Sequence, residues 1–279
     1  MFAIQQCRPG LGTYVEIALH GPGPEDVLLG ASALAFAEIE RIQRLMSFHD
    51  PASELSRINR TAHLEACAIS EDLATVLRCA LRLSELTNGR FDVSIAPELV
   101  RRGALPEVSP LPPKDSEASW LDIDLKERLV RFRRPLQIDL GGIAKGYAVD
   151  RALAVIDPEI EVTVNAGGDL AMRPWRGERV QLKMPGFWRP RLWETAMEAP
   201  AVATSASYYL DGRAAIILPH ARKAHRSHRS VSVFAPSCMI ADALTKVVHL
   251  MPGCESILVQ YEASAIIGNP WGRIERLGA

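Results

Sequence analysis

The sequence lacks long apolar runs and has little net charge and few cysteines, and each shortage excludes a class of protein. With 32 Lys and Arg against 33 Asp and Glu, the formal net charge is −1, so no overall field attracts nucleic acid or an anionic membrane. No stretch approaches the roughly 18 apolar residues of a membrane span. The five cysteines include no C-x-x-C pair, which disfavours a disulfide framework or a structural zinc site.

The beginning of the chain, MFAIQQCRPG, has neither the charged region nor the long apolar run of a secretion signal. Together with the scattered cysteines this predicts a cytoplasmic protein, or a periplasmic one if a leader has been removed. The one weak boundary along the chain is the proline-rich stretch VSPLPPK at residues 108–114. We therefore expect one α+β domain over residues 1–279, with mixed or antiparallel sheets and flanking helices.

Hydrophobic periodicity predicts three long helices, at residues 31–46, 70–86 and 240–251. Ser70 is a predicted N-cap of the second, and Asn88-Gly89 its C-terminal stop. A short helix is expected after Ser53. Alternating or continuous apolar runs predict strands at 12–19, 121–124, 129–132, 136–140, 162–166, 180–184, 201–205, 214–218, 231–235, 257–259 and 265–267. The run FDVSIAP at 91–97 predicts a strand or an extended loop.

The stretch IDLGGIAKGYAVD at residues 138–150 combines a strand-like run, two glycines, a lysine and a helical pattern. Glycines at a strand-to-helix junction allow a ligand to approach the backbone, and the first N–H groups of the helix suit an anion such as phosphate. Lys145 adds positive charge, and Asp139 and Asp150 flank it. The spacing is neither G-x-G-x-x-G nor a Gly-Lys-Ser/Thr loop. The alternative is a connection that only packs a helix on a sheet.

Two further stretches place polar groups at strand ends. Residues 165–169, NAGGD, again run from a strand into glycines and an acid, so the two turns together indicate a bilobed site for a phosphate-rich ligand. The alternative is a tight hairpin turn with a capping Asp. Thr204 and Ser205 offer hydroxyls that either donate to phosphate oxygens or satisfy the backbone.

Asp242, near the start of the last long helix, has three interpretations. An acid there favours the helix macrodipole, and it is also a candidate magnesium ligand. Lys246, one turn later, could instead pair with Asp242 and occupy the place of the cation. His220, His225 and His228 lie in a basic segment whose spacing matches no metal motif, so a solvated loop is expected there.

Seven stretches in this order resemble the ApbE-type FAD:protein FMN transferase family: PGLGTYVEI, MSFHDPASELSRIN, TNGRFDVS, IDLGGIAKGYAVD, VNAGGDL, VATSASYY and VSVFAP…ADALTKVV. The resemblance implies an α+β fold with a flavin cleft and FAD as the substrate. It also implies Mg²⁺-assisted cleavage of the pyrophosphate, with FMN transferred to a Thr or Ser of a target flavoprotein and AMP released.

The resemblance and the motifs together assign residues to three roles. The expected FAD contacts are Leu11, Phe48, Arg90, Phe91, Asp92, Asp139, Lys145, Gly167, Gly168, Thr204 and Ile216. The expected metal ligands are Gly142, Asp242 and Thr245, and the expected catalytic residues are Asp242, Lys246 and Ser205.

The sequence departs from the family pattern in three places. The family segment His-Ile-x-Asp-Pro-x-Thr-Gly reads AIILPHAR at residues 215–222, and the usual Ser-Gly is Ser205-Ala206. Lys246 stands where the family often has a hydroxyl ligand for magnesium, and Thr245, one position earlier, is turned by about 100° on a helix. A transferase with a modified ion site, a catalytically impaired flavin-binding member and an FAD pyrophosphatase giving FMN and AMP therefore all remain open.

Overall fold

The computed structural model describes residues 2–113, 118–186, 189–206, 216–225 and 227–278. The chain divides into two compact units. Unit 1 comprises Met1–Gln43, Ile143–Ala206 and Ser227–Ala279, and unit 2 comprises Arg44–Gly142 and Ser207–Arg226. Each unit is described by itself below, and the single domain expected over residues 1–279 stays a prediction.

Unit 1 is built on one eight-stranded sheet in which every described pair of neighbours is antiparallel. In spatial order its strands are β1 (Phe2–Gly10), β2 (Thr13–Gly21), β6 (Glu161–Ala166), β7 (Asp169–Arg173), β10 (Ala201–Ala206), β13 (Ser230–Ala235), β14 (Ser264–Gly268) and β15 (Ile274–Leu277). Strands β8 (Arg179–Met184) and β9 (Arg191–Ala196) form a separate hairpin.

Four helices accompany the large sheet: α1 (Glu25–Met46), α5 (Ala144–Ala154), α6 (Cys238–Leu250) and α7 (Glu255–Gln260). The alternating apolar residues of β2 and β6 pack with α1 and α5 in one core, which includes Ile17, Val164, Ile39 and Val149. Burial of such side chains removes them from water and supplies the main favourable term in folding. Strands β7 and β10 are central in the sheet and pack against α5 and α6.

Unit 2 is smaller and has fewer residues in strands. Its helices are α2 (Glu54–Thr61), α3 (Glu71–Leu86) and α4 (Ala96–Arg101), and its strands are β3 (Cys67–Ala68), β4 (Ile123–Lys126), β5 (Leu129–Phe132), β11 (Ile217–Leu218) and β12 (Lys223–Ala224). Short 3₁₀ turns cover Val93–Ile95, Trp120–Asp122 and Pro219–Ala221. The side chain of Ser53 caps α2, and that of Ser70 caps α3 through the Leu73 N–H.

Many sequence predictions are confirmed. The three long helices are α1, α3 and α6, and α3 ends with Asn88 and Gly89 at positive φ of 49° and 73°. The strands predicted at 162–166, 180–184, 201–205 and 231–235 are β6, β8, β10 and β13. Residues 207–215 lie outside the described part of the chain. They include the end of VATSASYY, which is residues 202–209, and the first two residues of the strand predicted at 214–218. The sheets, expected to be mixed or antiparallel, are antiparallel in each described pairing.

Three predictions are wrong, and each has a physical reason. Residues 91–97 form a 3₁₀ turn and the start of α4, because Asp92 caps the Ser94 N–H at 2.8 Å and Pro97 occupies the first helical turn. Residues 136–140 join no sheet, since the side chain of Asn59 takes both backbone groups of Ile138 at 2.9 Å. Residues 257–259 are helical in α7, because three apolar residues carry no periodicity that separates strand from helix.

Among the described residues, no helix combines the length and the apolar character that a membrane crossing demands.

Candidate functional site

Helices α5 and α6 of unit 1 come unusually close at Gly146. A Cβ on Gly146 would lie 2.2 Å from the carbonyl oxygen of Cys238 and 2.8 Å from the nitrogen of Met239. Both atoms belong to the backbone of the first turn of α6 and cannot rotate away. Gly146, the third glycine of the stretch IDLGGIAKGYAVD, is therefore required by the helix contact, and the close approach brings the polar groups of the two helices together.

The carboxylate of Asp150, on α5, caps the amino terminus of α6. Its two oxygens accept from the N–H groups of Cys238 and Met239 at 2.7 and 2.8 Å, which satisfies two donors that a helix leaves unpaired. Burial raises the pKa of Asp150 to about 6, against the lowering effect of the two N–H groups, and the charge of Asp242 adds to the rise. Asp150 thus has a structural role that also fixes α6 against α5.

Lys145, on α5, forms an ion pair with Asp169, at the start of β7. The Nζ and Oδ2 atoms are 2.9 Å apart, and the carboxylate is almost completely buried whereas the lysine side chain is 28% exposed. Burial alone would lower the pKa of Lys145, but the carboxylates of Asp169 and Asp242 raise it above its ordinary value. Burial and the charge of Asp242 raise the pKa of Asp169, and the two ammonium groups oppose this rise. At neutral pH the pair is ionised.

Asp242 and Lys246 form a second pair within α6. The Lys246 Nζ contacts Asp242 Oδ1 in a short ion pair and donates to the Asp242 carbonyl oxygen at 3.1 Å. The other carboxylate oxygen accepts from the Gly146 N–H at 3.3 Å. The fully buried Thr245 hydroxyl donates to the Asp242 carbonyl at 2.7 Å, as helical threonines commonly do with a nearby carbonyl.

We name Lys145, Asp169, Asp242 and Lys246 the lysine–aspartate cluster. Its two aspartates are buried and its two ammonium groups are partly exposed, with 28% and 22% of the side chains accessible. The two ammonium groups are therefore accessible to a ligand, and the buried carboxylates hold them in position. Partly desolvated ammonium groups on a rigid base are suited to bind phosphate oxygens. Asp169 was in a motif that the sequence indicated, but its pairing with Lys145 was not predicted.

The turn between β6 and β7 borders this cluster in sequence. Gly167 and Gly168 have φ of 61° and 101°, and Ala166 pairs with Asp169 across them, so the stretch is a two-residue hairpin turn. The Gly168 N–H donates to Asn165 Oδ1 at 3.0 Å. The hairpin alternative of the sequence analysis is thus what the backbone forms, and contact of these glycines with FAD stays a prediction.

Thr204 and Ser205 lie near the end of β10. Thr204 Oγ1 lies 2.8 Å from Ser232 Oγ, and the Thr204 N–H donates to the Gly168 carbonyl at 3.1 Å. The Ser205 carbonyl lies 3.2 Å from His249 Nε2. Thr204 and Ser205 are both half-buried, and their predicted contacts with phosphate are untested.

Leu11 lies in the turn of the β1–β2 hairpin of unit 1. Its φ of 54° is in the left-handed region, which is rare for a bulky residue and costs free energy. The Leu11 N–H donates to Gln43 Oε1 at 2.6 Å, and the side chain packs partly against the core. The flavin contact expected of Leu11 stays a prediction.

Unit 2 contains a pocket of about 320 Å³ whose lining includes one of the predicted FAD contacts, Asp92. Asp92 lines it together with Asn88, Trp120, His220 and residues of α4. Burial raises the pKa of Asp92, and hydrogen bonds from Ser94 oppose this. The volume is at the lower end of small-molecule sites. The mixture of an indole ring, a carboxyl group and an imidazole suits a heteroaromatic ring with polar edges.

The remaining predicted FAD contacts of unit 2 have different exposures. Phe48, Phe91 and Ile216 are core residues, with 3%, 5% and 5% of their surface exposed. Arg90 is exposed, and Asp139 is half-buried and accepts from the Gly141 N–H at 3.1 Å. For the three buried side chains, packing explains their apolar character, and contact with a ligand stays a prediction.

The donor set around Asp242 does not fit Mg²⁺ as it is arranged. Magnesium binds carboxylate and water oxygens in a nearly octahedral shell, but both oxygens of Asp242 already accept from Lys246 and Gly146. The Thr245 hydroxyl is turned to a backbone carbonyl, and the predicted role of Gly142 stays a prediction. In the described parts of both units, no three His, Cys, Asp or Glu side chains group in a way that could hold a metal ion.

Comparisons with known proteins decide the family. The model of the ApbE family matches residues 11–264, which is most of the chain. The chain belongs to the ApbE family. An FAD:protein FMN transferase from Vibrio cholerae is 30% identical over 82% of this chain and 75% of its own length, and one from Haemophilus influenzae is 28% identical over 75% and 69%. The resemblance inferred from the seven stretches is confirmed.

Solved structures of ApbE proteins share the fold. The ApbE protein from Thermotoga maritima superposes with a TM-score of 0.83 at 24% identity, covering 99% of this chain and 97% of the other. The flavin transferase ApbE from Vibrio cholerae gives 0.82, also at 24% identity, over 99% and 96%. The predicted α+β fold of the ApbE type is therefore confirmed.

Proposed function

We propose that this ApbE-family chain is an FAD:protein FMN transferase. The observation that carries the proposal is its similarity, over most of both chains, to relatives named for that activity. The lysine–aspartate cluster supports it, because its two partly exposed ammonium groups suit the diphosphate of a dinucleotide.

The reaction is a phosphoryl-type transfer with FAD as the donor. The hydroxyl oxygen of a Thr or Ser in the target flavoprotein attacks the phosphorus on the FMN side of the diphosphate. The bond from that phosphorus to the bridging oxygen breaks, AMP leaves with the bridging oxygen, and the hydroxyl proton is released. Most of the catalysis in such transfers comes from positioning and from stabilising negative charge.

In this scheme the residues of unit 1 have distinct tasks. Lys145 and Lys246 bind phosphate oxygens, and Asp169 and Asp242 hold the two ammonium groups in place. The half-buried Ser205 is proposed to lie near the transferred group. The magnesium implied by the family resemblance belongs to this proposal as an expectation, and the present contacts of Asp242 count against it.

The test is incubation of the protein with FAD and a candidate target that carries the acceptor Thr, followed by in-gel flavin fluorescence. Fluorescence of FMN attached covalently to the target, with AMP formed in equal amount, supports the transferase. A target with the acceptor Thr changed to Ala is the control. FMN and AMP without a labelled target would indicate an FAD pyrophosphatase. FAD binding without any product would indicate a catalytically impaired flavin-binding protein.

The prediction of a cytoplasmic location, or a periplasmic one after removal of a leader, stays part of this proposal and is testable by fractionation.

A further inference from the structure

Helix α6 carries a cation of its own beside Asp242. Asp242 and Lys246 are four residues apart, so their side chains lie on the same face of the helix. The carboxylate is 99% buried, with 1% of its surface exposed, and the ammonium group forms its ion pair from the more accessible side. A buried carboxylate needs such a partner, since an unpaired charge in the interior is strongly disfavoured.

A divalent ion on Asp242 would compete for the same atoms. Oδ1 is the partner of Lys246, and Oδ2 accepts from the backbone of α5 at Gly146. An ion bound at Oδ1 would displace the ammonium group, or lie beside it and be repelled by it. Because Lys246 is attached to the same helix, it is always present at this position, whereas a dissolved ion must be captured each time.

The charges of the cluster are already balanced. Lys145 pairs with Asp169 and Lys246 pairs with Asp242, so two positive and two negative groups face one another. An added Mg²⁺ would leave two uncompensated positive charges until an anion arrived. An ammonium group has three N–H donors, and those of Lys246 that are described reach Asp242 Oδ1 and the Asp242 carbonyl, which leaves one for an acceptor on a ligand.

We propose that the ammonium group of Lys246 takes the place of a divalent cation at Asp242, so that this chain binds the diphosphate of a dinucleotide without magnesium. The identity of the dinucleotide as FAD rests on the proposed function above. The claim about the cation does not, because it concerns the contacts of Asp242 alone. Lys246 acts in this proposal as a ligand-binding residue, and Asp242 acts through it as a positioning residue.

The first experiment measures metal binding directly and does not depend on activity. The metal-free protein is titrated with Mn²⁺, and the free ion is followed by electron paramagnetic resonance. Wild type is expected to leave Mn²⁺ free up to about 1 mM, a range in which weak carboxylate sites fill. The variant Lys246→Met, which keeps the aliphatic stem, is expected to bind one equivalent at least about tenfold more tightly. The double variant Lys246→Met with Asp242→Asn is expected to lose it.

A matched control removes a lysine elsewhere. Lys126 is exposed on β4 of unit 2, and Lys126→Met is expected to behave as wild type, which separates a local exchange from a change in net charge. Thermal melting checks the folding of each variant, and Lys246→Thr replaces Lys246→Met if the latter does not fold. One equivalent of Mn²⁺ on wild type that disappears in Asp242→Asn overturns the proposal. So does failure of both wild type and the Lys246 variants to bind the ion.

The second experiment measures FAD binding by the quenching of flavin fluorescence, in EDTA and in Mg²⁺. The dissociation constant of wild type is expected to agree between the two conditions within about twofold. Lys246→Met is expected to bind at least about tenfold more weakly in EDTA and to recover partly in Mg²⁺. A wild-type affinity that falls tenfold or more in EDTA overturns the proposal. If wild type binds FAD in neither condition, the proposed function fails, and the Mn²⁺ titration still decides the question of the cation.

Discussion

The close contact between α5 and α6 should reverse the usual effect of replacing a helical glycine with alanine at Gly146. Replacing a glycine inside a helix with alanine normally stabilises a protein by about 0.5–1 kcal/mol, because alanine has the higher helix propensity. At Gly146 the new Cβ would lie 2.2 Å from the Cys238 carbonyl oxygen and 2.6 Å from its carbon. The prediction is that Gly146→Ala destabilises unit 1.

The magnitude follows from the overlap. Non-bonded carbon contacts are normally 3.5–4.0 Å, so the helices must separate by about 1 Å or more. Overpacking a tightly filled core usually costs about 1–3 kcal/mol, and sometimes more. The displaced atoms are backbone, and the movement also lengthens the 3.3 Å hydrogen bond from the Gly146 N–H to Asp242. Against the gain in propensity, we expect a net loss of about 2 kcal/mol in the free energy of unfolding.

Unit 1 offers a matched control in Gly30. It is an exposed residue inside α1, and a Cβ there would have no neighbour within 4 Å. Gly30→Ala should therefore stabilise the same unit by up to about 1 kcal/mol. Urea titrations followed by circular dichroism give both values, and hydrogen exchange in α5 and α6 localises the effect. If Gly146→Ala proves as stable as wild type or more so, the close helix contact is refuted.

Three other predictions concern buried polar groups. Lys145→Met leaves the Asp169 carboxylate buried without its ion pair, which should lower the free energy of unfolding by about 3–5 kcal/mol, as measured by urea titration. Adding Asp169→Asn should restore most of this stability. If the double variant is no more stable than Lys145→Met, the pairing is contradicted. Asn59→Ala removes the hydrogen-bond partner of both backbone groups of buried Ile138. We expect the free energy of unfolding to fall by about 2–4 kcal/mol and hydrogen exchange at Ile138 to become faster. Unchanged exchange would show that Asn59 does not hold the backbone of Ile138. The pKa of Asp150 in the folded protein, about 6, lies above the ordinary 3.8, so the contribution of Asp150 to stability is complete below pH 3.8 and declines as the pH rises through 6. Relative to wild type, the unfolding free energy of Asp150→Asn should therefore increase by up to about 3 kcal/mol from pH 4 to pH 7. A difference between the two proteins that does not change with pH would show that the pKa is not raised.

The sequence predicted those parts of the fold that depend on local pattern. Helix α3 shows why: Ser70 caps its start, the apolar residues recur at helical spacing, and Asn88 and Gly89 take the positive φ that ends it. Each of these signals acts within a few residues. Strand β10 and helix α6 were found by the same kind of local signal.

Parts that depend on distant partners were not predicted. The extended run at 136–140 looked like a strand, but Asn59, 79 residues earlier, takes the hydrogen bonds that a neighbouring strand would have made. The stretch 91–97 is a different case, because a local cap decides it: the residues alternate as in a strand, yet Asp92 caps the Ser94 N–H and starts a helical turn. Propensity is a weak prior that such tertiary contacts and caps override.

The candidate site divides in the same way. Lys145, Asp242 and Lys246 were indicated by glycine-rich and helix-start motifs, and the pairing of Lys246 with Asp242 was one of the open alternatives, because two residues four apart on a helix are neighbours. The partner of Lys145 could not be inferred, since Asp169 approaches it only when β7 packs on α5. The strained conformation of Leu11 also leaves no trace in the sequence.

The cap that Asp150 places on α6 also bears on the order in which the protein folds. Its acceptors and the N–H donors of Cys238 and Met239 are separated by 88 and 89 residues, so closing this contact orders a long intervening chain. Such non-local contacts form slowly. A fragment that ends before α6 would therefore contain Lys145 and Asp169 but no assembled lysine–aspartate cluster. Competence to bind an anion at this site should accordingly be acquired late, together with the last cooperative step of folding.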